Sequence, residues 1–171
     1  MSSSPRIALI TGGGRGIGRA TALALARDGV DSIITYRTAA AEAAEVVAEI
    51  RGLGADAAAL ALDVRDSASF EAFARSVGEL LDAQWGRERF GYLVNNAGVS
   101  ANGAFAQVSE ADVDLLVDVH LKGVFFLTQR LLGLIADGGS IVNVSSGLAR
   151  VTFPERIVYG SVKGAVEVFT R

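Results

Sequence analysis

The chain has 171 residues, of which 50% are hydrophobic and 20% charged, and its formal net charge is −3 at pH 7. A chain of this length suits one domain with a sizeable core, so we expect residues 1–171 to form a single domain. The slightly negative charge provides no basic surface, which argues against a nucleic-acid partner. The sequence has no cysteine and one histidine, which excludes thiolate metal sites and argues against a histidine metal cluster.

Targeting and membrane signals are also missing from the sequence. Residues 1–6 contain no apolar stretch of the signal-peptide type. No window approaches the roughly 18 uncharged apolar residues of a membrane span, so we expect no membrane association and a cytoplasmic location.

The chain opens on an apolar run, a glycine-rich turn and a helical pattern, in that order. Residues 6–10 predict a buried strand, five of residues 12–18 are glycine, and an Ala/Leu-rich helical pattern follows over residues 20–26. Glycine lets the backbone approach a ligand closely, and a helix start offers unpaired N–H groups to an anion. The stretch therefore predicts a phosphate site, with a purely structural turn as the alternative. The residues expected to line this site are Gly12, Gly14, Arg15, Gly16, Ile17 and Gly18.

Strands and helices alternate along the rest of the chain. Apolar runs predict further strands over residues 31–36, 56–62, 92–94 and 140–144. Helical spacing of apolar residues predicts helices over residues 39–51, 70–81, 109–136 and from 157 to the end. Strands that are apolar on both faces indicate a parallel sheet covered by helices on both sides. We therefore predict an α/β fold with a doubly wound parallel sheet and the Rossmann-type strand order 3-2-1-4-5.

Polar and glycine residues mark the predicted ends of two of these helices. Asp66 or Ser67 is expected to cap the third helix. Ser109 and Asp112 have the spacing of a capping box at the start of the long helix. The pair Gly138–Gly139 is expected to end that helix.

Residues that follow the strands are candidates for the ligand site, because such sheets bind ligands beyond the carboxyl ends of their strands. Tyr36 and Arg37 follow the second strand, where a carboxylate would indicate a free ribose 2′-hydroxyl. Arg37 and Arg15 favour a 2′-phosphate instead, because guanidinium groups match phosphate oxygens. We therefore expect NADP(H) as the cofactor, with NAD(H) as the alternative.

Two further strand ends supply the rest of the predicted cofactor site. After the third strand, Asp63 would accept from an adenine amino group and Val64 would pack against the ring. A plain turn or cap role for Asp63 is the alternative. Amide and glycine residues, which also favour turns, follow the fourth strand, and the candidates among them are Asn95, Ala97 and Gly98.

A serine, a tyrosine and a lysine follow the fifth strand. Tyr159 and Lys163 are four residues apart on a predicted helix and share one face, and Ser146 lies shortly before them. An ammonium group beside a phenol favours the phenolate, so we expect Lys163 to lower the pKa of Tyr159 toward neutrality. Tyr159 would then donate or accept a proton, and Ser146 would hydrogen-bond a substrate carbonyl. A half-buried aromatic residue without a catalytic role is the alternative for Tyr159.

In this order and at these separations, the motifs resemble the short-chain dehydrogenase/reductase family, and its 3-oxoacyl-carrier-protein reductase-like members most closely. The matching residues are Thr11-Gly12 with Gly16-Ile17-Gly18, Asp63-Val64, Asn95 to Gly98, Ser146, Tyr159 and Lys163. The resemblance implies hydride transfer between a nicotinamide cofactor and a ketone/secondary-alcohol pair. It also implies that Tyr159 is the general acid/base, that Lys163 holds the nicotinamide ribose and that Ser146 stabilises the reacting oxygen.

The chain departs from the family pattern in two places. His120 stands where many members carry an asparagine that holds a water of the proton relay. It would hold such a water while titrating near neutral pH, and a packed core histidine is the alternative. The chain also ends at Arg171, within the predicted helix that carries Tyr159 and Lys163, whereas family members continue with further strands. The resemblance therefore implies a domain that is incomplete at its C-terminus.

The leading hypothesis is an oxidoreductase that acts on a small-molecule carbonyl or alcohol. The main alternative is a truncated, non-enzymatic dinucleotide-binding protein, and an epimerase or dehydratase on the same fold is the alternative among enzymes. The resemblance further implies a homodimer or homotetramer that pairs the helices over residues 109–136 and 157–171.

Overall fold

One five-stranded sheet forms the centre of the computed structural model, which describes residues 6–171. All of its strand pairs are parallel and the order is β3-β2-β1-β4-β5, which confirms the predicted topology. The strands are β1 (Ile7–Ile10), β2 (Asp31–Tyr36), β3 (Ala57–Ala61), β4 (Phe90–Asn95) and β5 (Ile135–Asn143). The helices are α1 (Gly16–Arg27), α2 (Ala40–Gly52), α3 (Phe70–Trp85), α4 (Glu110–Val117), α5 (Gly123–Leu131) and α6 (Ile157–Phe169). Across residues 6–171, no helix combines the length and the apolar content needed to cross a bilayer.

Successive residues of β1 divide the apolar core into two layers. Ala8 and Ile10 pack with buried residues of α1 and α2, whereas Ile7 and Leu9 pack with buried residues of α3 and α5. Side chains alternate between the two faces of a strand, so a strand that is apolar at every position is buried on both faces. The predicted doubly wound arrangement, with helices on both sides of the sheet, is therefore confirmed.

The two outer strands are less buried than the sequence predicted. Residues of β3 are mostly half-buried, and in β5 Ile141 and Val142 remain 37% and 51% exposed. The expectation that every strand is buried on both faces was wrong for β3 and β5, because the two core layers are centred on β1, β2 and β4.

The predicted helix over residues 109–136 is interrupted and ends early. Its capping box is confirmed: Ser109 Oγ accepts from the Asp112 amide at 3.1 Å, and Asp112 Oδ2 accepts from the Ser109 amide at 3.4 Å. A π-helical segment, Asp118–Lys122, then separates α4 from α5. Such segments often mark functional positions, and this one carries His120.

The pair Gly138–Gly139 lies inside β5, so the prediction that it ends a helix was wrong. β5 begins at Ile135, and its register against β4 shifts between Phe90 and Tyr92. Gly138 has a φ of +78°, and a Cβ atom at Gly139 would lie 2.5 Å from the carbonyl oxygen of Gly91. The two glycines therefore form an irregularity where neighbouring backbones approach closely.

The start of α3 also differs from the prediction. Neither Asp66 nor Ser67 caps the helix through its side chain. A 3-10 turn, Ser67–Ser69, precedes Phe70, and Ser69 Oγ donates to the carbonyl of Asp66 at 2.7 Å. The turn replaces the predicted cap because it satisfies backbone groups through local i to i+3 bonds.

Candidate active site

A cavity of about 1000 Å³ lies at the carboxyl ends of the strands. Its wall includes the glycine turn after β1, residues that follow each of the other four strands, the π-helical segment and α6. This is the position expected for a ligand of a doubly wound sheet. The volume is also that of small-molecule and cofactor sites in general.

The glycine turn is packed tightly against the loop that follows β4. Asn96 Nδ2 donates to the carbonyls of Thr11 and Gly12 at 2.9 and 3.1 Å. A Cβ atom at Gly18 would lie 2.3 Å from the Gly12 oxygen and 2.5 Å from Asn96 Nδ2. Gly18 is therefore a packing residue that does not itself line the cavity, unlike Gly14 and its neighbours in the turn.

The start of α1 presents N–H groups toward the cavity. Arg15 occupies the N-cap position without a side-chain capping bond, so the amides of the first turn remain available to an anion. Gly16 has a φ of +56°, which glycine adopts without strain, and Ile17 is 65% exposed beside it. Arg15, Gly16 and Ile17 all line the cavity, and this combination of amides and a guanidinium group suits a phosphate.

Charged residues line the cavity beside the ends of β2 and β3. Arg65 Nε and Nη2 donate to Asp63 Oδ1 and Oδ2 at 3.0 and 2.6 Å. This pair, with a smaller contribution from the Arg37 charge, holds the pKa of the Asp63 carboxyl below its usual value. Tyr36 and Val64 complete this part of the wall. The Arg65 amide also donates to Asp63 Oδ1 at 3.0 Å, so any ligand donor at this carboxylate would share it with Arg65.

Asn95 does not line the cavity, contrary to its predicted cofactor role. Its side chain is 5% exposed and donates to Thr128 Oγ1 at 3.0 Å and to Asn143 Oδ1 at 2.8 Å. The amide is therefore occupied in linking β4 with β5 and α5. The next residue along the chain, Asn96, takes the place beside the glycine turn, and Ala97 and Gly98 line the cavity as predicted.

Ser146, Tyr159 and Lys163 line the cavity together. Lys163 Nζ lies 5.8 Å from the centroid of the Tyr159 ring, as expected for residues four apart on α6. Ser146 Oγ accepts from the Leu148 amide at 3.2 Å, which leaves the serine O–H free to donate to a ligand. The three side chains thus offer a phenol, a hydroxyl donor and an ammonium group at one end of the cavity.

The pKa of Tyr159 moves opposite to the predicted direction. Burial raises the pKa of the phenol above its ordinary value, and the Arg156 guanidinium offsets only part of this rise. Lys163 is 4% exposed, donates to the Val144 carbonyl at 2.6 Å, and has its own pKa lowered by burial. The sequence predicted that Lys163 would lower the pKa of Tyr159, and this was wrong: the pKa is raised, because loss of hydration outweighs the opposing charge of Arg156.

His120 is buried between the loop after β4 and Tyr159. It is 1% exposed, its Nε2 lies 2.7 Å from the Val99 carbonyl oxygen, and its ring meets the Tyr159 ring edge-on at 5.1 Å. Its Nδ1 has no hydrogen-bond partner among residues 6–171. Burial lowers the pKa of His120, so it titrates below the neutral range predicted from the sequence. Gly98 accommodates the ring, since a Cβ atom there would lie 2.8 Å from His120 Cε1.

Comparisons with known proteins agree with this architecture. A family model described as short chain dehydrogenase matches residues 6–171. The chain belongs to the short-chain dehydrogenase family. A versicolorin reductase from Emericella nidulans is 35% identical over 170 residues, covering 97% of this chain and 61% of that protein.

Solved structures of other short-chain dehydrogenases superpose closely on this one. The angucycline C-6 ketoreductase LanV with bound NADP has a TM-score of 0.87 at 37% identity, covering 95% of this chain and 63% of that chain. A 3-oxoacyl-[acyl-carrier protein] reductase from Brucella melitensis has a TM-score of 0.85 at 36% identity, covering 99% of this chain and 68% of that chain. The chain spans about three fifths of the length of the curated relatives that it matches.

The cavity of this short-chain dehydrogenase is lined by all of the predicted site residues except Gly18 and Asn95. Sequence reasoning missed the anchoring role of Asn96 and the pairing of Arg65 with Asp63. The spacing Asp63-x-Arg65 is compatible with a local ion pair and equally with an aspartate that contacts a ligand, so the sequence alone does not decide between the two. The role of Asn96 depends on which of two adjacent amides faces the glycine turn, and this requires the structure.

Proposed function

We propose that this short-chain dehydrogenase transfers a hydride between NADP(H) and a ketone or secondary alcohol, with Tyr159 as general acid/base. The observation that carries the proposal is that Ser146, Tyr159 and Lys163 share one cavity with the glycine turn and Arg37. A protein that only bound a dinucleotide would need the phosphate part of this cavity but not the serine and tyrosine. The names of the versicolorin reductase and the LanV ketoreductase agree with reduction of a carbonyl group.

The chemistry of the cavity fits NADP(H). The amides at the start of α1 would bind the pyrophosphate, and Arg15 and Arg37 would bind the 2′-phosphate. Asp63 and Val64 would hold the adenine, and Lys163 the nicotinamide ribose. LanV, which is solved with NADP, supports this choice of cofactor. When bound, the cofactor supplies or accepts the hydride at the substrate carbon.

Tyr159 supplies the proton in the proposed reaction. In reduction its O–H bond breaks and the proton passes to the substrate oxygen, which becomes the alcohol oxygen, and oxidation reverses this transfer. Because burial raises the pKa of Tyr159, the phenol keeps its proton at neutral pH and is in the form that donates during reduction. The free O–H of Ser146 would donate to the same substrate oxygen and orient it.

The Tyr159→Phe variant tests this function, with Tyr92→Phe in β4 as the matched control. Removing the phenol is expected to lower the kcat of NADPH-dependent ketone reduction by about 100-fold or more, because general acid catalysis contributes on that scale. The Kd for NADPH is expected to change by no more than about twofold. Both are measured with a panel of ketones and by NADPH fluorescence titration.

Two results would overturn the proposal in different ways. Undiminished turnover in Tyr159→Phe would show that the phenol is not the proton donor. A wild-type protein that binds NADPH but reduces no ketone and oxidises no secondary alcohol would overturn the proposal in favour of the non-enzymatic dinucleotide-binding protein or of an epimerase or dehydratase on the same fold.

We also propose that copies of the chain associate as a homodimer or homotetramer. Phe125 and Phe126 of α5 are 47% and 42% exposed, and Val168 of α6 is 65% exposed, on the two helices implied by the family resemblance. Light scattering on the eluting protein tests this, and a monomer at micromolar concentration would contradict it.

A further inference from the structure

Arg156 lies directly before α6 and three residues before Tyr159, at the edge of the proposed catalytic site. Residues three apart at the start of a helix lie on the same side of its first turn. Arg156 is half-buried, and its Nη1 donates to Ser100 Oγ. Ser100 lines the cavity together with Tyr159 and in turn donates to Asn102 Oδ1 at 3.2 Å. The guanidinium group thus connects α6 to the cavity wall that follows β4.

A backbone bond runs beside this side-chain contact. The Gly103 amide donates to the Glu155 carbonyl at 3.1 Å. Residues 100–103, here called the 100–103 loop, are therefore fastened to the start of α6 by the Arg156 side chain and by the backbone. The backbone bond already attaches the loop to α6. The hydrogen bond from Arg156 to Ser100 is a second attachment, and it fixes the position of the Arg156 side chain.

The charge of Arg156 also acts on the phenol. Of the charged groups near Tyr159, Lys163 is buried against the Val144 carbonyl, and His120 is a neutral ring whose pKa burial lowers. Arg156 is the group whose charge lowers the pKa of Tyr159 against the effect of burial. The remaining charged residues on α6 and on the elements that pack against it are Glu155 directly before Arg156, Glu110, Asp112 and Asp114 of α4, Asp118 paired with Lys122 in the π-helical segment, and Glu167 of α6 paired with Arg150.

We propose that Arg156 is a positioning residue for Tyr159. Arg156 holds the 100–103 loop against α6 and keeps a positive charge beside the phenol. The proposal rests on the proposed function of Tyr159 as acid/base. In alcohol oxidation the phenolate must take the proton from the substrate hydroxyl, and a nearby fixed cation favours that form. Arg156 therefore extends alcohol oxidation toward lower pH than Tyr159 would allow without it.

The experiment compares wild type with Arg156→Gln and Arg156→Lys in two measurements. The first is kcat/KM for oxidation of a secondary alcohol with NADP⁺ against pH. The second is direct titration of the phenolate by near-ultraviolet absorbance in the cofactor-free protein, with Tyr159→Phe subtracted to isolate one tyrosine. Arg156→Gln is expected to move both titrations to higher pH and to lower kcat/KM on the ascending limb by about threefold, the size of a partly exposed charge interaction.

The conservative variant separates charge from packing. Arg156→Lys keeps the cation and is expected to return both titrations toward wild type, even where the loss of the Ser100 bond raises KM. Arg150→Gln is the matched control, because Arg150 pairs with Glu167, and it is expected to leave the Tyr159 titration unchanged. Thermal unfolding of each variant confirms that the chain remains folded.

Unchanged titrations in Arg156→Gln, or a lysine variant that behaves like the glutamine variant, would overturn the proposal. The absorbance titration needs no turnover, so it tests Arg156 even if the chain oxidises no alcohol. In that case the proposed function fails while the role of Arg156 beside Tyr159 is decided separately.

Discussion

Burial governs the protonation of the histidine beside Tyr159. A histidine in water titrates near pH 6.5, but His120 is almost fully enclosed and lies near the charge of Lys163. The neutral ring donates from Nε2 to the Val99 carbonyl, and a second proton on Nδ1 would find no acceptor among the residues that the structure describes. The folded protein therefore binds a proton at His120 less readily than the unfolded chain does.

This difference predicts a pH dependence of stability. Because the pKa of His120 is lower in the folded state, the unfolded chain takes up the proton first as the pH falls. The free energy of unfolding is expected to decrease as the pH falls below about 6.5, toward the lowered pKa of the folded state. Urea denaturation between about pH 5 and pH 7.5 measures it. The His120→Asn variant is expected to lose this component, and equal slopes in the two proteins would contradict it.

The same substitution tests the part that His120 plays in turnover. Asparagine offers an amide in place of the ring and does not titrate, so His120→Asn is expected to keep ketone reductase activity and to flatten the pH–rate profile below about pH 6.5, because burial lowers the pKa of His120 from that value. The measurement is kcat/KM for reduction across that range, with wild type in parallel. An unchanged profile would make His120 a packing residue only.

At the scale of elements, α1 packs closely against the glycine turn because Gly18 has no side chain. A Cβ atom there would collide with a backbone oxygen at Gly12, whereas Gly164 of α6 has open space around its Cβ direction. Gly18→Ala is expected to destabilise the fold by about 1–3 kcal/mol, and Gly164→Ala to stabilise it by up to about 1 kcal/mol through helix propensity. Chemical denaturation of both variants measures this, and a neutral Gly18→Ala would contradict the packing role.

The inner elements could be predicted from the sequence because their signals are local. β2 and the capping box of α4 follow directly from apolar runs and from the spacing of Ser109 and Asp112. The pair Gly138–Gly139 was misplaced because two glycines are equally suited to a helix end and to a bulge beside Gly91. The π-helical segment was not predicted, because it shifts the helix by a single residue and does not interrupt the spacing of the apolar residues.

The positions of the site residues could be predicted from the sequence, whereas their protonation, which depends on burial, could not. The motif order predicted nearly the whole cavity wall, because the carboxyl ends of parallel strands meet at one edge of the sheet. The sequence predicted a lowered pKa for Tyr159 and titration near neutral pH for His120, whereas burial raises the first pKa and lowers the second. These shifts depend on how much water the surrounding segments exclude, which the sequence does not show.

At the scale of the whole molecule, the proposed cofactor site joins segments that are distant along the chain. Arg15 belongs to the turn after β1 and Arg37 follows β2, yet both line one cavity with Tyr159 of α6. The parallel register of β1 with β2 brings the first two together. The two guanidinium groups that we propose to bind a 2′-phosphate are therefore brought to one cavity by the sheet topology.

The most direct test of this account is a titration of the protein with NADPH and with NADH, followed by cofactor fluorescence. We expect NADPH to bind at least about tenfold more tightly, a difference of about 1.4 kcal/mol, and the double variant Arg15→Ala/Arg37→Ala to lose that preference while still binding NADH. Equal affinity of the wild-type protein for NADH and NADPH would contradict the account.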